Sequence, residues 1–193
     1  MMKRVCVFCG SSRGTNPAYC EAAQKLGHVL AKRGLELVFG AGHIGLMGVL
    51  ADAVIAAGGH TIGVIPRAMV DRELAHAGLG RLHIVDTMHE RKALMADLSD
   101  AFIALPGGFG TADELFEILT WAQLGIHQKP VGLVNTAGFF DPLLAWLDRA
   151  VTDGFLKPKH RRLLIEAANV EELLDRLGQF HPVPSQGIES ADR

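Results

Sequence analysis

The sequence predicts an α/β protein built on one doubly wound parallel sheet with helices on both faces. Three observations lead there. Short β-rich runs alternate with helical stretches along the chain, the order expected of βαβ units. At 193 residues and 49% hydrophobic content, the chain suits a single domain with an ample core. The turns closing three of the strands are glycine-rich or small, and sheets of this kind bind ligands at the carboxyl ends of their strands.

The elements follow in order. Met1-Met2-Lys3-Arg4 precedes an apolar run, 5–9, too short for a signal peptide, and the run reads as the first strand, closed by Cys9-Gly10-Ser11-Ser12. A helical pattern over 17–33 leads to strand 35–39, which ends in Gly40-Ala41-Gly42-His43-Ile44-Gly45-Leu46-Met47-Gly48. Helix 46–57 comes next, then strands 61–65 and 81–85 and helix 88–98. Strand 101–105 runs into Pro106-Gly107-Gly108-Phe109-Gly110, and this turn opens helix 111–124. Strand 131–134 and helix 141–151 follow, and a basic stretch, 157–162, precedes a last helix at 170–177. Residues 1–180 thus read as one Rossmann-like nucleotide-binding catalytic domain, and 181–193, rich in Pro, Ser, Gly and charge, as a disordered tail.

Composition excludes several functions. A net charge of −2, from 19 basic and 21 acidic residues, gives no electrostatic reason to expect nucleic-acid binding. No apolar run approaches the roughly 20 residues of a membrane helix. The three cysteines are an odd number, and Cys6-x-x-Cys9 lies inside a strand, where alternation sends the two side chains to opposite faces. They read as reduced cysteines of a cytoplasmic protein. The histidines show no metal-ligand spacing, so neither a metal nor another cofactor is expected. A Gly-x-Ser-x-Gly elbow and a Walker A loop are missing from the sequence, and the dinucleotide fingerprint fits poorly, because the first strand is followed by Gly10 alone and not by Gly-x-Gly-x-x-Gly.

The turn after strand 101–105 is built to hold an anion. Its glycines allow a sharp bend and close approach to a ligand, and the first N–H groups of the following helix point outward with the helix dipole behind them. Asp113, Glu114 and Glu117 follow at once and would repel a phosphate held directly, so they suit another part of a ligand, such as a sugar. Thr111-x-x-Glu114 has a second reading as a capping box, in which Thr111 caps the helix and Glu114 reaches back to it. In the helix 88–98, Met88, Arg91, Met95 and Leu98 fall on one stripe. Arg91 either snorkels from that apolar stripe to water or faces the cleft and grips an anion, which Lys92 beside it would share.

Taken in sequence, these motifs resemble a known family. They are Cys9-Gly10-Ser11-Ser12, Gly42-x-x-Gly45-Leu46-Met47-Gly48, Gly63-Val64-Ile65-Pro66, Met88-His89-Glu90-Arg91-Lys92, Pro106-Gly107-Gly108-Phe109-Gly110-Thr111-x-x-Glu114 and Thr120-Trp121-Ala122-Gln123-Leu124-Gly125. Together, over about residues 3–178, they closely resemble the LONELY GUY family of cytokinin riboside 5′-monophosphate phosphoribohydrolases, members of which have been labelled lysine decarboxylases in error. The resemblance implies hydrolysis of the N-glycosidic bond of adenosine 5′-monophosphate or an N6-modified form, giving free base and ribose 5-phosphate. It implies Glu114 and Arg91 as the catalytic pair. Substrate contacts would fall on Gly107, Gly108, Phe109, Gly110, Thr111, Ala112, Asp113, Lys92, Glu73 and Thr120, with Ser11, Ser12, Gly42 and Met47 from the first two turns. The base would lie near Met95 or Trp121. A homodimer is also implied, with the helix carrying Arg91 near the interface.

Two departures from the family pattern stand out: Ala41 where a glycine is usual, and Asp113 for a glutamate. Two rival readings are weaker. A pyridoxal decarboxylase needs a Schiff-base lysine, and nothing in the sequence singles one out. A non-catalytic nucleotide or molybdenum-cofactor-type carrier has no need to keep Arg91 and Glu114 together.

Overall fold

The structure, a computed structural model, describes residues 2–70, 76 and 78–181. Seven parallel strands form one sheet: β1 (Arg4–Phe8), β2 (Glu36–Phe39), β3 (Thr61–Pro66), β4 (Arg81–Val85), β5 (Ala101–Ala104), β6 (Val131–Val134) and β7 (Leu164–Ala167), in the order β4-β3-β2-β1-β5-β6-β7. Val5 pairs with Leu37 on one side and with Ala101 on the other, so β1 sits where the winding reverses. In doubly wound sheets that reversal opens a crevice at the strands' carboxyl ends.

Alternation along the strands builds two cores. Val5 and Val7 of β1, with Leu37, Phe39 and Ile103, pack under α1 (Pro17–Lys32), α2 (Gly45–Ala56) and the C-terminal helix Val170–Gly178. Cys6 and Phe8, with Val38, Ile62 and Phe102, pack under α3 (Met88–Leu98), α4 (Phe109–Gln123) and α5 (Asp141–Thr152). Cys6 and Cys9 belong to opposite cores, as the period of two requires, and all three cysteines are free thiols. α2 is buried over most of its circumference, which explains why its sequence is apolar without a polar face.

The elements agree with the sequence reading within two residues, with two additions. The short helix α6 (Pro158–Arg161) falls within the basic stretch 157–162, and β7 follows just beyond it, where the sequence reading placed no element. β7 is four residues long, Leu-Ile-Glu-Ala, with its glutamate half-buried, too short to stand out as an apolar run. It is specified by its partner, Val131 to Val134 pairing with Leu164 to Ala167. The C-terminal helix is accordingly α7 (Val170–Gly178).

Candidate active site

Three turns converge at the reversal. The Gly10 N–H donates to the Pro106 carbonyl at 3.0 Å, and the Gly10 carbonyl accepts from the Leu46 N–H at 2.9 Å. The second residue after β1 is therefore bonded to the turn that follows β5 and to the start of α2. Gly45 makes the approach possible: it has φ +65°, and a Cβ there would strike the backbone of Ser11. Ala41 has φ 65° as well, although it carries a side chain. This is the position where the family resemblance calls for glycine, and a left-handed alanine costs about 1–2 kcal/mol.

The turn after β5 differs from its sequence reading in one respect. Helix α4 starts at Phe109, its N-cap is Gly108, and no side chain caps it. Its first backbone bond runs from the Ala112 N–H to the Gly108 carbonyl at 3.1 Å. Thr111 is therefore inside the helix and buried, so the Thr111–Glu114 capping box does not form. The N–H groups of Phe109, Gly110 and Thr111 precede that bond and project from the helix's N-terminal end, where an anion is favoured. Gly108, Phe109 and Gly110 are exposed around it, Phe109 at 97%. A side-chain cap, backed by a carboxylate that reaches one residue earlier than in a capping box, is present on α3 instead. Thr87 accepts from the Glu90 N–H at 3.1 Å, and the Glu90 carboxylate accepts from the Asp86 N–H at 2.9 Å.

Arg91 does not snorkel to water. Its side chain is 8% exposed and lies against the end of β2, where Nη2 donates to the Gly40 carbonyl at 3.4 Å and Nη1 to the Met88 sulfur at 3.4 Å. Its Nε is buried with no hydrogen-bond partner among the described residues. Nη2 stands 3.9 Å from Glu114 Oε1, and the Glu114 side chain is 14% exposed. Arg91 and Glu114, far apart in sequence, thus face one another in a nearly closed space. Neutral acceptors this long leave much of the guanidinium's charge available to an anion. Glu114 also reaches the floor of the crevice: burial first, and then its negative charge, push the Cys9 thiol far up. The same two causes raise Cys6, so neither thiol supplies a nucleophile.

Lys92 turns the other way. Its ammonium meets Asp113 Oδ2 at 3.0 Å and Glu117 Oε1 at 3.1 Å, joining α3 to α4. Burial pulls its pKa down, but the hydrogen bonds to Asp113 and Glu117 outweigh this and the net shift is upward.

The other residues singled out by sequence are spread around the crevice. Ser11 and Ser12 are exposed at its mouth, Gly42 is buried against the Met47 side chain, and Ala112 is half-buried on the first turn of α4. Thr120 lies further along α4, its hydroxyl donating to the Phe116 carbonyl at 2.7 Å. It lines a separate apolar groove with Phe116, Trp146 and Phe155. Glu73 lies outside the described residues. Met95, at 1% exposure, is part of the core and cannot meet a base, and Trp121 packs on the same core.

Sequence reasoning named Gly40 only within a glycine-rich turn and Glu117 only as an acid after the turn at 106–110, and counted neither among the site residues. A Cβ at Gly40 would collide with the Arg91 guanidinium. The signal for Glu117 was its place four residues after Asp113, which puts both carboxylates on one helix face. Among the described residues no group of three His, Cys, Asp or Glu is placed to hold a metal ion.

The comparisons of sequence with known proteins point to one family. The chain matches the family described as "possible lysine decarboxylase" over residues 47–177. It is 51% identical to the cytokinin riboside 5′-monophosphate phosphoribohydrolase LOG7 of Arabidopsis thaliana over 180 residues, covering 93% of this chain and 83% of the relative. It is 50% identical to the enzyme LOG of Oryza sativa subsp. japonica over 186 residues, covering 96% and 77%. Among solved structures it resembles the molybdenum cofactor binding protein of Rippkaea orientalis, with a TM-score of 0.70, 21% identity and coverage of 92% and 96%. A molybdenum cofactor carrier protein from Chlamydomonas reinhardtii gives 0.69, 23% identity and coverage of 93% and 97%. At such identities the two structures share the fold with this chain and nothing more.

Proposed function

The chain belongs to the LONELY GUY family of cytokinin riboside 5′-monophosphate phosphoribohydrolases, and we propose that it hydrolyses the N-glycosidic bond of adenosine 5′-monophosphates through Glu114 and Arg91. The observation that carries the assignment of residues is the buried pair itself, a carboxylate and a guanidinium 3.9 Å apart beside an uncapped helix N-terminus.

Breaking the bond between the ribose C1′ and the base leaves positive charge on the sugar, as in other glycosyl cleavages. With the 5′-phosphate on the N–H groups of Phe109, Gly110 and Thr111, the Glu114 carboxylate faces the sugar. There it stabilises the developing cation and takes a proton from the attacking water. That water's oxygen becomes the anomeric hydroxyl of ribose 5-phosphate, and the base leaves with a proton. Arg91 holds the carboxylate in place and adds positive charge next to the phosphoribosyl unit.

The active enzyme is a homodimer in this reading. Its support is the groove between α4 and α5, where Trp146 and Phe155 are exposed and Leu124 and Ile126 lie bare near the end of α4. Apolar side chains gathered in this way mark an interaction surface. Thr120 lines that groove, and in this reading it contacts the substrate of the second subunit. The catalytic unit is residues 1–180, with 181–193 outside it. A cytoplasmic location fits the three free cysteines, since oxidising compartments favour paired ones. No helix among the described residues is long and apolar enough to cross a membrane.

The deciding experiment is chromatography of reaction mixtures containing AMP, isopentenyladenosine monophosphate or the unphosphorylated nucleosides. Free base is expected from the monophosphates alone, and the faster of the two identifies the preferred base. Glu114→Gln, which keeps the shape of the side chain, is expected to lower the rate by about 10²–10⁴-fold with an unchanged fold. Nucleotide binding without release of base would return the chain to the carrier reading.

A further inference from the structure

Lys92, next to Arg91 in sequence, has its charge already spent. Its side chain is 10% exposed, and its ammonium lies within hydrogen-bond distance of two carboxylates, Asp113 at 3.0 Å and Glu117 at 3.1 Å. Two anions around one cation leave a local charge of −1, which does not recruit a phosphate. Asp113 and Glu117 are four residues apart on α4, so they stand one above the other on a single face. Glu114 rises from the same turn, between them in sequence. Lys92 in turn follows Arg91 directly on α3. A single ammonium therefore ties the helix that carries Arg91 to the turn that carries Glu114.

The two arms are unequal. Asp113 is 60% exposed, and solvent screens its interaction. Glu117 is 22% exposed, and its second oxygen, Oε2, is buried with no hydrogen-bond partner among the described residues. A carboxylate half-satisfied in this way depends on its one partner, because removing that partner leaves a buried charge unpaired. The Glu117 arm is the one that holds.

We propose that Lys92 is a positioning residue: through Glu117, and secondarily Asp113, it fixes the rotation of α4 against α3 and so sets Glu114 opposite Arg91. This rests on the phosphoribohydrolase reading above and departs from the family resemblance, which makes Lys92 a substrate contact. The two roles have different kinetic signatures. A residue that binds ground state and transition state alike alters KM, whereas one that aims a catalytic group alters kcat.

The test measures kcat and KM on AMP for Lys92→Met, Glu117→Gln, their double variant and Lys92→Arg. Each neutral single variant is expected to lose about tenfold or more in kcat with KM changed less than about threefold. The double variant is expected to be no worse than the poorer single one, because the two residues act as a unit. Lys92→Arg, which restores the charge and reach, is expected to recover most of kcat. A rise in KM confined to Lys92→Met, with Glu117→Gln at the native rate, would overturn the proposal in favour of a substrate contact. Additive losses in the double variant would overturn it too. Glu117→Gln, a substitution without change of shape, decides the matter should Lys92→Met fail to fold. Glu114→Gln run in parallel separates the two questions: full activity there would remove the reaction assignment itself, whatever the Lys92 series shows.

Discussion

At the scale of single residues, the candidate site depends on backbone that keeps out of the way. Gly40 has two roles towards Arg91: its carbonyl accepts from Nη2, and its missing side chain leaves the volume the guanidinium fills. Gly40→Ala should therefore push Arg91 off its position opposite Glu114. A displacement of an ångström can cost about 10²-fold in rate, and a loss of that order in kcat/KM on AMP is the expected outcome. Melting temperature should hardly move, because the atom displaced is the tip of a flexible side chain. A large drop in stability with intact activity would instead mean that the turn, and not the arginine, needs the glycine. Glu114 illustrates the reverse problem. Its spacing from Thr111 suits a capping box, but Gly108 takes the cap, and the carboxylate is left to Arg91.

At the scale of elements, α3 and α4 are stabilised differently at the ends that meet. α3 has a side-chain cap, Thr87, reinforced by the Glu90 carboxylate, while α4 begins on a bare glycine. The difference suits the proposed function: a side chain at the N-cap of α4 would occupy the N–H groups that the proposal offers to the 5′-phosphate. Thr87→Ala is expected to cost about 1 kcal/mol, the ordinary value of such a cap. For a chain of this size that is about 2–4 °C in melting temperature, measurable by calorimetry. Activity on AMP should fall as well, since the frayed turn holds Arg91 at two points, the Thr87 carbonyl that accepts from its N–H and the Met88 sulfur that accepts from Nη1.

At the scale of the molecule, two properties follow from how the elements pack. His127 bridges the segment after α4 to the helix itself, with Nε2 donating to the Ile118 carbonyl at 2.9 Å and Nδ1 accepting from the Lys129 N–H at 3.1 Å. Only the neutral ring can do both. Burial, and after it the neighbouring Lys129 charge, lower its pKa against the opposing Ile118 bond, and burial with Lys159 and Lys157 lowers that of His160. In the unfolded chain both rings protonate near their ordinary 6.5, while the folded protein resists until lower pH. Acid therefore favours the unfolded state, and stability should decline as pH falls below about 6.5. Melting curves between about pH 7.5 and 5.5 should show it, and His127→Gln should flatten the slope. The second property is assembly. Light scattering should give twice the 20.7 kDa chain mass. Phe155→Asp, which puts a charge on the 89%-exposed rim of the groove, should yield monomer and lower the activity.

The sequence by itself determined the class of fold, six of the seven strands, the glycine-rich turns at the strand ends and the family. These are local properties: apolar runs, turn glycines and motif spacing are written in adjacent residues, and alternation alone separated Cys6 from Cys9. Tertiary structure decided what depends on neighbours from elsewhere in the chain. β7 exists because β6 offers it an edge, and four residues with a half-buried glutamate carry little strand signal of their own. Arg91 is a buried cation against Gly40, a position no helical stripe could distinguish from snorkelling, because the stripe records direction and not what the arginine meets. Lys92, beside it in sequence, is turned to Asp113 and Glu117, since consecutive residues on a helix point about 100° apart and meet different partners.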